Sequence, residues 1–179
     1  MLHSADSNSR YPASHLFAAA LALGGGLFGV LGAFIEEVRA GLLVAFVAAP
    51  IVEEGLKPSG VYLLLGKWPH LLRNRLYTAY LAALGGISFA IVENIIYLAV
   101  YSPEHSGAFV LYRFTIPLAV HTLASFIVGF GINQRLLASV RGEVPFLSGN
   151  WKFFVAAIAL HALYNIAATV ATIFGLLQF

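Results

Sequence analysis

The chain of 179 residues contains no cysteine. It therefore cannot form a disulfide or a thiolate nucleophile, and any metal must be bound by histidines and carboxylates. Charge is also scarce, since 10% of the residues are charged and 60% are hydrophobic. This is too little polar surface to cover a soluble domain, so lipid is the expected solvent. The small net charge of +2, spread between apolar runs, argues against nucleic-acid binding.

Long apolar runs are what the chain has in abundance. Five of them reach the length of about 20 helical residues that crosses a hydrocarbon core of about 30 Å. They lie at residues 14–34, 41–65, 76–101, 109–131 and 151–176. The pattern predicts an all-α, polytopic transmembrane helix bundle of about five spans in a cell membrane. A polar N-terminal segment at 1–13 is expected to precede a single transmembrane domain at 14–179.

The basic residues of the connections predict the orientation. Most of them share one side of the membrane with Arg10, namely Lys67, Arg73, Arg75, Arg135, Arg141 and Lys152. The opposite side has only Arg39, together with Glu36, Glu37 and Glu104. Because cytoplasmic loops are enriched in Lys and Arg, we expect a cytoplasmic N-terminus. With an odd number of spans, the C-terminus is then outside.

Several charged residues lie inside the predicted spans, namely Glu53, Glu54, Lys57, Glu93 and Arg113. Each costs roughly 2.5–3.5 kcal/mol at the centre of a membrane helix, so we expect them to face one another. His121 and His161 lie at a similar depth when residues are counted from the outer end of each span at about 1.5 Å per residue. The sequence therefore predicts a polar pocket inside the bilayer.

Local spacing and prolines support such a pocket. Lys57 follows Glu53 by four residues and Asn165 follows His161 by four, so each pair shares a helix face. Prolines lie beside these residues, at Pro50, Pro58 and Pro117. Each proline removes a backbone donor and is expected to kink its helix. The carbonyls freed at such kinks suit a watery cavity better than a lipid-facing surface.

The charge balance of the pocket indicates a proton or a metal. Three carboxylates opposite Lys57 and Arg113 leave one negative charge unpaired, so that either one glutamate is protonated or a cation is bound. Catalytic zinc commonly uses two histidines, one glutamate and a water. His121 and His161 with either Glu54 or Glu93 would supply that set, and the remaining glutamate would be the general base.

Four ordered motifs carry a family resemblance. They are Glu53-Glu54-Gly-Leu-Lys57, Phe89-x-x-x-Glu93-Asn94, Arg113 with His121, and His161-x-x-x-Asn165. Together they cover about four of the five predicted spans. They resemble the PrsW family of membrane proteases, within the wider superfamily of type II CAAX prenyl proteases and bacteriocin-processing enzymes.

The resemblance implies a membrane-embedded peptidase that cuts a membrane-protein substrate, such as a single-pass anti-sigma factor. The site residues that it implies are Glu53, Glu54, Glu93, His121 and His161, supported by Lys57 and Asn165. The CAAX branch has an arginine after the Glu pair and a histidine at the end of the Phe motif. This chain has Lys57 and Glu93 there, which argues against prenylated substrates.

Two mechanisms remain open at this point. In one, Glu53 takes a proton from the attacking water, zinc is bound by Glu54 or Glu93 with the two histidines, and Asn165 donates to the oxyanion. In the other, which needs no metal, Glu53 and Glu93 activate the water, and His161 and Asn165 form the oxyanion hole. An ion-translocating protein and a noncatalytic membrane scaffold are the alternatives to a protease.

Overall fold

The computed structural model describes residues 10–37 and 44–175, and these residues form helices joined by short connections. Eight are α-helices: α1 Arg10–Glu37, α2 Ala49–Leu56, α3 Ser59–Lys67, α4 Arg75–Ile96, α5 Gly107–Arg113, α6 Ile116–Gly131, α7 Gln134–Val140 and α8 Trp151–Ile173. π-Helical turns at Val44–Ala48 and Tyr97–Tyr101 precede α2 and follow α4, and a 3₁₀ turn spans Pro69–Leu71. The described residues include no strand, in agreement with the predicted all-α class.

Four segments are long and apolar enough to cross a membrane, namely Ser14–Ala33, Arg75–Tyr101, Gly107–Gly131 and Trp151–Ile173. They correspond to four of the five predicted spans, and the chain is a multi-pass membrane protein. Large apolar side chains on α8, such as Val155, Leu163 and Val170, point out of the bundle, as expected for surfaces that face lipid.

The second predicted span, at 41–65, is a broken helix instead of a continuous one. α2 ends at Leu56 and α3 begins at Ser59, with Pro58 between them. The proline ring has no N–H to continue the helical ladder, and it would clash with the carbonyl four residues earlier. Residues 38–43, like most of the predicted segment 1–13 and the last four residues, lie outside the described residues.

The other two prolines were predicted to kink their helices, and both lie where an α-helix begins. Pro50 lies in the first turn of α2 and Pro117 in the first turn of α6. Proline is tolerated there because the first-turn N–H groups have no intrahelical partner. The fourth predicted span is consequently divided into α5 and α6, with Phe114 and Thr115 at the break.

α4 lies at the centre of the bundle, with its most extensive contacts to α6 and α1. Glycines make this close packing possible. A Cβ atom on Gly86 would lie 2.6 Å from the His121 carbonyl oxygen on α6. Gly29 on α1 leaves room for the side chains of Lys57 and Phe89, each of which would lie 2.9 Å from an added Cβ. The glycines thus set the helix spacing at which the polar side chains meet.

Candidate active site

Four helical segments bring the predicted site residues together. Glu53 and Glu54 lie on α2, with Lys57 directly after it, and the remaining predicted residues come from α4, α6 and α8. Arg113, the last residue of α5, lies beside them. We define the polar cluster as Glu53, Glu54, Lys57, Glu93, Arg113, His121 and His161. All of them are buried except Glu93, whose side chain is 19% exposed. Asn165, one turn beyond His161 on α8, is half-buried.

The Lys57 ammonium is at the centre of the cluster. Its Nζ donates to Glu54 Oε1 at 2.7 Å and to His121 Nδ1 at 2.8 Å, and it lies 3.2 Å from Glu53 Oε2. The ammonium also lies 4.1 Å from the centre of the Phe89 ring. Because an ammonium can only donate, His121 Nδ1 is the acceptor in this contact. Lys57 therefore partly neutralises the Glu pair and orients His121.

Glu54 fixes His161 on the other side of the cluster. Its Oε1 accepts from His161 Nδ1 at 2.9 Å, so that His161 carries its proton on Nδ1 and keeps a lone pair on Nε2. Nε2 lies 3.9 Å from Glu53 Oε2, which is too far for a direct hydrogen bond. A carboxylate that orients a histidine in this way is typical of metal and general-base sites.

Glu93 is bonded to a different pair of residues. Its Oε2 lies 3.1 Å from both Arg113 Nη2 and His121 Nε2. Since Lys57 occupies Nδ1 of His121, the proton of that ring lies on Nε2 and points to Glu93. The Arg113 guanidinium also covers the Tyr97 ring at 3.8 Å. Arg113 thus orients the Glu93 carboxylate.

The cluster contains a donor set that fits a divalent metal. One ligand atom each from Glu53, His121 and His161 lies within 4.8 Å of the other two. The buried Glu53 Oε2 also has no hydrogen-bond partner of good geometry. Two histidines and one carboxylate form a common catalytic zinc set. The carboxylate in this grouping is Glu53, whereas the sequence suggested Glu54 or Glu93, which here hold His161 and His121 in place.

Two tyrosines near the cluster were not singled out from the sequence. Tyr112, next to Arg113, and Tyr164 on α8 join their hydroxyl groups at 2.9 Å. Tyr164 follows His161 by three residues and so shares its helix face, a spacing that would have identified it. His15 lies outside the cluster, and its Nδ1 bonds to the Tyr77 hydroxyl at 2.8 Å.

Comparison with known proteins agrees with the family resemblance of the sequence motifs. A family model described as PrsW family intramembrane metalloprotease matches residues 13–179. The chain is also 29% identical over 136 residues to Protease PrsW of Bacillus subtilis (strain 168). That alignment covers 75% of the chain but only 58% of the relative, so the chain spans less than two thirds of the relative's length. No solved structure matches.

Proposed function

Because the chain belongs to the PrsW family of intramembrane metalloproteases, we propose that it hydrolyses a peptide bond in a single-pass membrane protein by means of the polar cluster. The observation that carries this proposal is the pair of atoms Glu53 Oε2 and His161 Nε2, which face each other at 3.9 Å. Glu53 Oε2 has no hydrogen-bond partner of good geometry, and His161 Nε2 keeps a lone pair because the ring proton lies on Nδ1. Such a pair inside a bilayer is suited to bind a water and accept its proton.

The other residues of the cluster prepare this pair. Glu54 holds the His161 ring by its Nδ1 proton, and Lys57 compensates part of the charge of the two adjacent carboxylates. Preorganised groups of this kind need no rearrangement as charge develops in the transition state. Asn165 lies one helical turn from His161, where its amide would donate to the oxyanion. The substrate must be unwound at the cleaved bond, because a helical backbone engages its own carbonyls.

The family name implies a metal, and the donor set of Glu53, His121 and His161 fits one. A divalent metal held by these residues would polarise the scissile carbonyl and make a bound water more acidic. Glu53 would then be a ligand, and the proton acceptor would be Glu93, the most exposed carboxylate of the cluster. For His121 to join this set, one of its two nitrogens must release Lys57 or Glu93.

Comparative proteomics of membrane fractions tests the proteolytic function. Cells that produce the wild-type chain are compared with cells that produce Glu53→Gln, and Glu143→Gln is the matched control at an exposed position. We expect fragments of one or a few single-pass proteins with the wild type and the control only. The proposal is wrong if the three samples contain the same fragments and the purified chain cleaves none of the candidate proteins.

Metal analysis of the purified variants assigns the carboxylate ligand. If Glu53 is the ligand, Glu53→Gln loses the bound metal, while Glu93→Gln keeps it and loses activity. If instead Glu93→Gln loses the metal and Glu53→Gln keeps it, Glu93 is the ligand and Glu53 is the general base. A fully active preparation without metal would instead support the mechanism in which Glu53 and Glu93 activate the water themselves.

A further inference from the structure

The connection between α6 and α8, residues 132–150, is named the inner connection here. It exposes two large apolar side chains. Val140 is 70% exposed. Phe146 is 79% exposed, which is more than any other large hydrophobic residue described. The inner connection is not part of a membrane-spanning helix, so the lipid-facing surface of a span does not explain this exposure. Another environment must cover these side chains.

The backbone of the inner connection is held firmly. Ser139 Oγ donates to the Pro145 carbonyl at 3.2 Å and accepts from the Leu147 N–H at 2.8 Å. Phe146 lies between these two anchored residues. Leu147 packs inward against the core with a φ of +53°, a left-handed conformation that costs a leucine energy. The fold thus turns Leu147 inward and Phe146 outward at a fixed position.

Side-chain hydrogen bonds join the beginning and the end of the inner connection. The Arg135 guanidinium donates to the Ser148 carbonyl at 2.9 Å and to its hydroxyl at 3.0 Å. At the two ends, Asn133 Nδ2 donates to Asn150 Oδ1 at 3.0 Å. Since the polar groups satisfy one another, Val140 and Phe146 are presented on a preformed surface and not on a loose loop.

The charges around the inner connection are mainly positive. α6 ends and α8 begins at this connection, and α3 contacts α7, which brings the 67–75 region to the same side of the bundle. The exposed basic residues of this side are Lys67, Arg73, Arg75, Arg135, Arg141 and Lys152. Glu143 is the one acidic residue among the described residues of these two connections. Such a surface is complementary to anionic lipid headgroups.

We infer that Val140 and Phe146 insert into the boundary between headgroups and acyl chains of the adjoining leaflet, while Arg141 and Lys152 bind the phosphates of anionic lipids. Aromatic and aliphatic side chains beside basic residues are typical of segments that lie in this boundary. Trp151, the first residue of α8 and 59% exposed, adds the kind of ring that is enriched there. The occupant of the surface is the bilayer itself.

Single-cysteine labelling tests the insertion, because the chain has no cysteine of its own. Phe146→Cys and the matched control Glu143→Cys are spin-labelled in the full chain. Each is reconstituted in vesicles of phosphatidylcholine alone or mixed with phosphatidylglycerol. Accessibility to oxygen and to a water-soluble nickel chelate gives the depth of the label. We expect position 146 to lie about 5–10 Å below the headgroup boundary and position 143 to lie in water.

Charge reversal tests the binding of anionic lipids separately from the insertion of the apolar side chains. Arg141→Glu with Lys152→Glu is expected to reduce the depth at position 146 in the phosphatidylglycerol vesicles and to leave it unchanged in phosphatidylcholine. Quenching of Trp151 fluorescence by brominated lipids, in a Trp68→Phe chain, measures the depth of the same region without a substitution or label in it. Equal nickel accessibility at positions 146 and 143 in both vesicles would overturn the inference and leave a protein partner as the occupant. None of these readouts depends on proteolysis.

Discussion

The polar cluster and the inner connection are both networks of polar groups that bond to one another, but they are assembled over different distances along the chain. In the cluster, Glu54 and His161 are 107 positions apart, and Lys57 and His121 are 64 apart. In the inner connection, the most distant pair, Asn133 and Asn150, is 17 apart. The cluster therefore depends on how five helical segments pack, whereas the inner connection depends mainly on its own sequence.

The largest expected effect is the loss of the central ammonium in Lys57→Met. Breaking a buried ion pair by removing one partner costs about 3–5 kcal/mol, because the remaining charge is left uncompensated. We expect the free energy of unfolding in detergent to fall by this amount. Lys152→Met, at the exposed start of α8, should change it little. Equal losses for the two variants would show that Lys57 does not hold the cluster together.

Glu54→Gln removes the charge of this side chain but keeps its size. The amide still accepts from His161 but no longer carries the charge that orients and polarises the ring. Replacing such an outer partner of a metal-site histidine typically lowers metal affinity or activity by about 10–100-fold. Zinc competition with a chelating dye and cleavage of an identified substrate both measure it, with Glu143→Gln as the control. Unchanged affinity and rate would mean that Glu54 only fills space.

Gly86→Ala tests the dependence of the cluster on helix spacing. The added methyl group would meet the His121 carbonyl and the Ser125 hydroxyl, so α4 and α6 must move apart. Overpacking of this kind costs about 2 kcal/mol, and it lengthens the contact between Glu93 and His121. Gly66→Ala in α3, where no atom lies within 4 Å of the new Cβ, is the matched control. Equal unfolding free energies would contradict close α4–α6 packing.

The smallest effect is expected in the inner connection. Ser139→Ala removes the hydroxyl that joins Pro145 and Leu147, and the loss of such hydrogen bonds costs about 1 kcal/mol. Hydrogen exchange should increase at the Leu147 amide, while cleavage and metal binding stay at wild-type values. A loss of metal binding in Ser139→Ala would show that the inner connection and the polar cluster are coupled and do not form independently.

The sequence predicted the positions of the membrane-spanning helices better than the breaks within them. Hydropathy and length place four spans within a few residues of the observed helices. The break at Pro58 was expected as a kink, but composition alone made 41–65 look like one continuous span. Whether a proline bends a helix or ends it depends on what its neighbours pack against, and that is not encoded in the local pattern.

The candidate site was predictable as a set of residues but not as a network. The cost of burying charge in lipid indicated that Glu53, Glu93 and Lys57 must converge with the histidines. The partner of each atom depends on the rotation of every helix about its axis, which residue spacing fixes only roughly. This is why the sequence favoured Glu54 or Glu93 as the metal-binding carboxylate, while the geometry groups Glu53 with the histidines.

The separation of Glu54 from its two partners also has a consequence for biosynthesis. Lys57 follows Glu54 by three residues, whereas His161 follows by 107. At about 5–20 residues per second, the ribosome needs roughly 5–20 s to add His161 after it has added Glu54. We expect the nearby lysine to neutralise the glutamates during this interval. Lys57 would then help α2 to enter the membrane before α8 has been made and before any catalytic site exists.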